Sequence, residues 1–254
     1  MNSTGGELIK TLGIIGGLGP LAGAHFYRRI VELSPALSDS EHISTILISD
    51  PSIPSRIDHL TGHGESPVPR LLEIAKKLIA ADANILVIPS TTTNIYYDEL
   101  TNALETPIIP LIHSVTQSIL EAGCRKIGIL GTTPTRTFGI YEKAFSSVGI
   151  DAYYPDHDTQ SEIMQIISTV KSGETGAVED LSQPMCDHHV LTQSQAIYEI
   201  AMRPWGQNVD GILLACTELP VIFPVSVWSG VSVKLFSSTD ILAEAVIKDA
   251  YGGI

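Results

Sequence analysis

The chain has 254 residues, 44% of them hydrophobic and 17% charged, which suits one large α/β domain or two smaller ones and is too apolar for disorder. Its formal net charge of −13 argues against nucleic acid and against anionic membrane surfaces as partners. The same charge repels an acidic metabolite at long range, so each Arg or Lys near a candidate site carries weight.

The start, MNSTGGELIK, is polar, and the first apolar run, Leu12 to Ile15, is too short for a secretory signal or a membrane span. Three cysteines, Cys124, Cys186 and Cys216, cannot form a complete disulfide set and lack zinc-site spacing. A cytoplasmic protein with reduced thiols is expected.

A first strand is expected over Thr11–Ile15. The loop Gly16-Gly17-Leu18-Gly19-Pro20 follows it, and then a helix over Pro20–Leu33. Glycines let the backbone turn sharply and approach a ligand closely, and Pro20 suits a first helical turn. Free N–H groups there could bind a carboxylate. The spacing is not the dinucleotide G-x-G-x-x-G, since Ala22 stands at the last position, and no Gly-Lys-Ser/Thr makes it a phosphate loop. A purely structural turn is the plainer alternative.

A second strand, Ser44–Ser49, a helix, Pro67–Ala81, and a third strand, Ile85–Pro89, come next. The third strand runs into Pro89-Ser90-Thr91-Thr92-Thr93-Asn94. Four successive hydroxyl residues after a buried strand need partners; they can cap a helix or bind a substrate carboxylate. After a helix over His113–Ala122 and a strand over Lys126–Leu130 comes LGTTPT, with Thr132 and Thr133 at the strand end. Cys124 lies at the opposite end of that strand and reads as structural.

Helices are expected over Phe138–Ser147, Glu162–Ser172 and Leu191–Arg203. Between the last two, Cys186-Asp187-His188-His189 looks like a metal motif, but no third ligand stands at a helical spacing. The final clear strand, Gly211–Ala215, ends in Cys216-Thr217-Glu218-Leu219-Pro220. A nearby cation would lower the thiol's pKa from about 8.5, whereas Glu218 would oppose that. A neutral thiol bonded to Glu218 is equally arguable.

The strands are continuous apolar runs, as in parallel sheets buried on both faces, and they alternate with helices. The halves also correspond: IGGLGP mirrors LGTTPT, and VIPSTTT mirrors LLACTEL. In open α/β sheets ligands sit outside the carboxyl ends of strands, so these loops are the place to look.

TLGIIGGLGP, DPSIPSR (Asp50–Arg56), PSTTTN, LGTTPT, ACTELP and STDILAEAV (Ser238–Val246) occur in an order and spacing that resemble the aspartate/glutamate racemase family. The resemblance runs over nearly the whole chain. It implies an α/β fold of two pseudo-symmetric subdomains, each a mostly parallel sheet flanked by helices, with the active site in the cleft between them. The boundaries expected are 1–112 with 223–254 for the first subdomain and 113–222 for the second.

The resemblance further implies racemisation without pyridoxal phosphate, metal or nucleotide. One thiol removes the α-proton from one face and another returns a proton to the opposite face. Cys216 matches the second catalytic cysteine, and Ser90 stands where the first is found. Thr92 matches a threonine that binds the substrate carboxylate. Thr91 stands where Asn is usual, and Asn94 where His is often found. Arg56 matches an arginine that holds the side-chain carboxylate, and Lys171 plausibly matches a lysine with the same task. Gly17, Gly19, Thr91, Thr93, Thr132, Thr133 and Thr217 complete the expected substrate shell.

A serine hydroxyl is a far poorer base than a thiol, and some relatives with Thr here behave as one-sided racemases. The function expected is therefore racemisation of aspartate or glutamate, with a small acidic ligand and a homodimer allowed. The alternatives are a cofactor-free decarboxylase of a malonate-like acid using Cys216 as proton donor, and a non-catalytic acidic-metabolite binder.

Overall fold

The computed structural model describes residues 10–173, 188–203, 208–223 and 233–252, with the side chains of 188–192 and 194 left aside. Cys186 and the side chains of His188 and His189 thus lie outside the described residues. The chain divides into two compact units: 1–89 with 96–110 and 242–254, and 90–95 with 111–241.

The first unit opens with β1 (Leu12–Gly16), buried at every residue, and α1 (Pro20–Leu33), which has proline in its first turn as expected. Then come β2 (Thr45–Ser49), α2 (Arg56–Leu60), α3 (Val68–Ala80), β3 (Ile85–Val87) and α4 (Tyr97–Ala103). The strand order is β2-β1-β3, and all pairings are parallel. A single parallel bridge joins Leu86 to Ile108 on the far side of β3. In α3 the buried residues Val68, Leu71, Ile74, Ala75 and Leu78 fall at helical spacing, so one stripe of the helix packs inward.

The second unit holds α5 (Leu111–Glu121), β4 (Lys126–Leu130), α6 (Thr133–Thr137), α7 (Glu142–Ser147), β5 (Asp151–Tyr153) and α8 (His157–Ser172). It continues with α9 (His188–Ala201), β6 (Gly211–Leu214), α10 (Leu219–Ile222) and β7 (Lys234–Ser237). The last helix, α11 (Ser238–Ala250), runs on into residues of the first unit. The order is β5-β4-β6-β7, again all parallel. Its core joins Leu130, Ile212 and Leu214 of the sheet to Ile163, Ile167 and Val170 of α8 and to Ile197 and Ile200 of α9. Truncating one such residue to Ala costs about 2–5 kcal/mol.

The internal correspondence is therefore topological. In each sheet the first strand lies between the second and the third, and the bridge at Ile108 stands where β7 pairs with β6. Both sheets are parallel and helix-flanked, as the continuous apolar runs predict.

Helices α2, α4, α6, α10 and α11 have no counterpart among the expected elements, and the other differences sit at ends and edges. Helix α8 starts at His157 rather than at Glu162, because Asp156 caps it and accepts a 2.8 Å bond from the Thr159 N–H. Helix α7 starts at Glu142 rather than at Phe138. The edge strands β5 and β7 were not expected: both are short and partly exposed, so neither carries a continuous apolar run.

Candidate functional site

The loop after β1 is fixed by glycine. Gly17 has φ +89, and a Cβ there would stand 2.3 Å from the Asp50 backbone. Gly19, at φ 139, precedes Pro20 of α1. Only glycine tolerates these conformations with the DPSIPSR segment packed so close. Within that segment Asp50 accepts bonds from Ser52 and pairs with Arg70. The Ser52 hydrogen bonds, with Arg70, bring its carboxyl down to about 2. Ser55 caps α2 by accepting from the Asp58 N–H at 3.2 Å, which makes Arg56 the first helical residue.

The hydroxyl cluster after β3 is pinned inside the second unit. Ser90, Thr91 and Thr93 are 7%, 5% and 0% exposed, so each hydroxyl must find a partner. Ser90 Oγ and Thr93 Oγ1 lie 2.9 Å apart and share a hydrogen bond. Thr91 Oγ1 donates to the Ala215 carbonyl at 2.5 Å. Asn94 donates to the Ser90 carbonyl from both its backbone N–H and its side-chain amide. Thr92 is half-buried and opens a 3-10 turn over Thr92–Tyr96. The structure thus ties the Ser90 loop directly to the end of β6.

At that strand end Cys216, Thr217 and Glu218 are all buried. Cys216 Sγ donates to Glu218 Oε2 at 2.9 Å, and the Thr217 hydroxyl reaches the same oxygen at 3.4 Å. Burial pushes the Cys216 thiol well above its ordinary range, and the Glu218 charge and hydrogen bond push the same way. Lys171, in the last turn of α8, opposes this and does not prevail. Its Nζ stands 3.8 Å from Glu218 Oε1, which has no hydrogen-bond partner among the described residues. The thiol is therefore held as a neutral donor to Glu218, one of the two arrangements the sequence allowed. Tyr141, fully buried, lies beside Thr91 and Cys216, and burial pushes its phenol up.

Ser90, Thr91, Thr93, Cys216, Thr217 and Lys171 all belong to the second unit, where side-chain contacts link Ser90 with Thr93, Thr91 with Ala215, and Lys171 with Glu218. Thr132 and Thr133 follow β4 in the same unit: Thr132 pairs with the Thr135 hydroxyl at 3.0 Å, and Thr133 is exposed. Gly17, Gly19 and Arg56 belong to the first unit. Tyr141 escaped the sequence reading, because a tyrosine near the start of a helix carries no local signal of its neighbours. Glu218 was visible as a charge near the thiol, but whether the thiol keeps its proton beside it was not decidable.

Cys124, buried at the opposite end of β4, directs its thiol toward the Asp210 carbonyl at 3.8 Å and is structural. Among the described residues no group of three His, Cys, Asp or Glu side chains is placed to hold a metal ion, and no helix is long and apolar enough to cross a membrane.

The sequence model described as Asp/Glu/Hydantoin racemase matches residues 15–246. The broad specificity amino-acid racemase RacX of Bacillus subtilis is 27% identical over 217 residues, covering 83% of this chain and 86% of that protein. The Picrophilus torridus aspartate racemase structure superposes with a TM-score of 0.79 at 27% identity, over 95% of this chain and 94% of that one. Glutamate racemase from Thermus thermophilus shares the fold, with a TM-score of 0.59 at 17% identity over 97% of this chain and 83% of that one. With the two parallel sheets and the buried thiol–carboxyl pair, these likenesses lead to one conclusion: the chain belongs to the Asp/Glu/Hydantoin racemase family.

Proposed function

We propose that this enzyme racemises an acidic amino acid, aspartate or glutamate, by removing and returning the α-proton, with Cys216 as the principal acid–base group. The observation that carries the reading is the Cys216 thiol, buried and bonded to Glu218 at 2.9 Å, on a strand end that Thr91 ties to the Ser90 loop. As a thiol, Cys216 can protonate one face of a planar carbanion. In the reverse direction Glu218 takes the thiol proton, and Sγ removes the α-proton. Ser90 occupies the second acid–base position with lower competence. Hydroxyls and N–H groups of Thr91, Thr92, Thr93, Thr132, Thr133 and Thr217, and of the Gly17 and Gly19 loop, would receive the α-carboxylate and the charge that develops on it. Arg56 and Lys171 keep the role that the resemblance gives them, holding the distal carboxylate; the preformed attraction of Lys171 to a carboxylate supports this.

A second reading has one observation in its favour. A thiol held protonated is what a cofactor-free decarboxylase needs to quench a carbanion. Incubation of single enantiomers of aspartate, glutamate and alanine in deuterated water, beside a substituted malonate, separates the two. The racemase reading predicts α-deuterium in the acidic amino acids. Carbon dioxide from the malonate with no exchange in any amino acid would replace it with the decarboxylase reading. Alanine is included because RacX is named for broad specificity.

A further inference from the structure

Within the first unit, α2 carries Arg56 and His59 three residues apart, on one face of a short helix. His59 Nδ1 lies 2.8 Å from the Tyr96 hydroxyl, and the two rings tilt at 44° with centroids 5.7 Å apart. Tyr96 is 6% exposed and ends the turn that begins two residues after Ser90. Burial raises its phenol, and the Arg56 charge works against that rise. A buried phenol needs a partner, and His59 supplies it; the bond also fixes the roll of a helix only five residues long. A helix of that length has little stability of its own, so its tertiary contacts decide where its first residue points.

We propose that the His59–Tyr96 pair is a positioning device for Arg56 and thereby sets the preference for a dicarboxylate over a monocarboxylate. This rests on the reading of Arg56 as the group that holds the distal carboxylate. Neither His59 nor Tyr96 is a catalytic residue: both act through the helix that carries the guanidinium. The pair costs the site no acid–base function, and it makes selectivity depend on two residues outside the hydroxyl loops.

The test measures the Kd of succinate and of propionate by calorimetry for the full chain and for Tyr96→Phe, His59→Leu, His59→Asn and Arg56→Ala, with thermal melts of each. Loss of one hydrogen bond should weaken succinate about three- to tenfold in Tyr96→Phe and His59→Leu and leave propionate within about twofold. His59→Asn, whose amide can reach the phenol, should restore most of the succinate affinity. Equal weakening of both ligands, or no restoration by His59→Asn, would mean that the pair only stabilises the fold and would overturn the proposal. Unchanged succinate affinity in Tyr96→Phe beside a large loss in Arg56→Ala would overturn it while sparing the role of Arg56. Unchanged affinity in Arg56→Ala would overturn both.

Discussion

The strand ends that carry Ser90 and Cys216 occupy corresponding places in their sheets: each follows the third strand in an order of second, first, third. Their local chemistry differs. At Cys216 a thiol donates to a buried carboxylate with an ammonium 3.8 Å beyond it. At Ser90 a hydroxyl shares its bond with another hydroxyl, Thr93, at 2.9 Å. The first arrangement holds a proton on a buried thiol, with a carboxyl oxygen in place to accept it. The second can orient a ligand or a water, but the Thr93 hydroxyl that partners it is not a base. On the proposed function, a repeated architecture supplies two corresponding stations, and the side chains equip only one of them to move a proton. A racemase built this way should work unequally on the two faces of its substrate.

The largest expected effect is removal of the equipped station. Cys216→Ser should lower α-proton exchange by at least about 10²-fold, the usual worth of a positioned acid–base group. Isotope incorporation measured by mass spectrometry checks it. Exchange that survives at the wild-type rate would move the chemistry elsewhere.

A second effect reads the thiol's environment. Burial and Glu218 hold the thiol proton, so alkylation of Cys216 by iodoacetamide, followed on its own peptide, should stay slow until the pH passes well beyond the ordinary thiol range. Glu218→Gln removes a charge that raises the thiol and should move the profile to lower pH. Lys171→Met removes a charge that lowers it and should move the profile to higher pH. The linkage has a definite sign. The folded pKa exceeds the unfolded one, so between them the unfolded chain has lost a proton that the folded chain keeps. Stability should therefore fall as pH rises above about 8.5, and less so in Cys216→Ala.

The smallest effects are structural. Thr91→Val breaks the bond to the Ala215 carbonyl and should cost about 1–3 kcal/mol in urea unfolding, because a buried acceptor loses its donor. Ser90→Ala removes one of two hydroxyls that can still rearrange, and should cost less. A larger loss for Ser90→Ala would mean that the hydroxyl pair, not the Thr91 tie, holds the loop.

Much of the architecture could be read in advance because buried parallel strands announce themselves. The runs at Leu12–Gly16, Lys126–Leu130 and Gly211–Leu214 are apolar on both faces, and the helices between them bury one stripe. The strands β5 and β7 lacked that mark, being short edges, and the start of α8 depended on a cap at Asp156, six residues ahead of the expected start at Glu162. The site divided along the same line. Cys216 and the hydroxyl run after Ile88 stand out as small polar residues following an apolar strand. The bond from Thr91 to Ala215 joins residues 124 positions apart, and the Tyr141 and His59–Tyr96 contacts are also non-local, so no spacing rule reaches them.

The central claim is that one station moves protons well and the other poorly. Its most direct test is α-deuterium incorporation into each enantiomer of aspartate and of glutamate, separately, in the wild type and in Ser90→Cys. The account predicts strongly unequal rates for the two enantiomers in the wild type, and a gain in Ser90→Cys confined to the slower one, since a thiol near 8.5 supplies usable base and an unassisted hydroxyl does not. Equal rates for both enantiomers in the wild type, or no gain in Ser90→Cys, would contradict it.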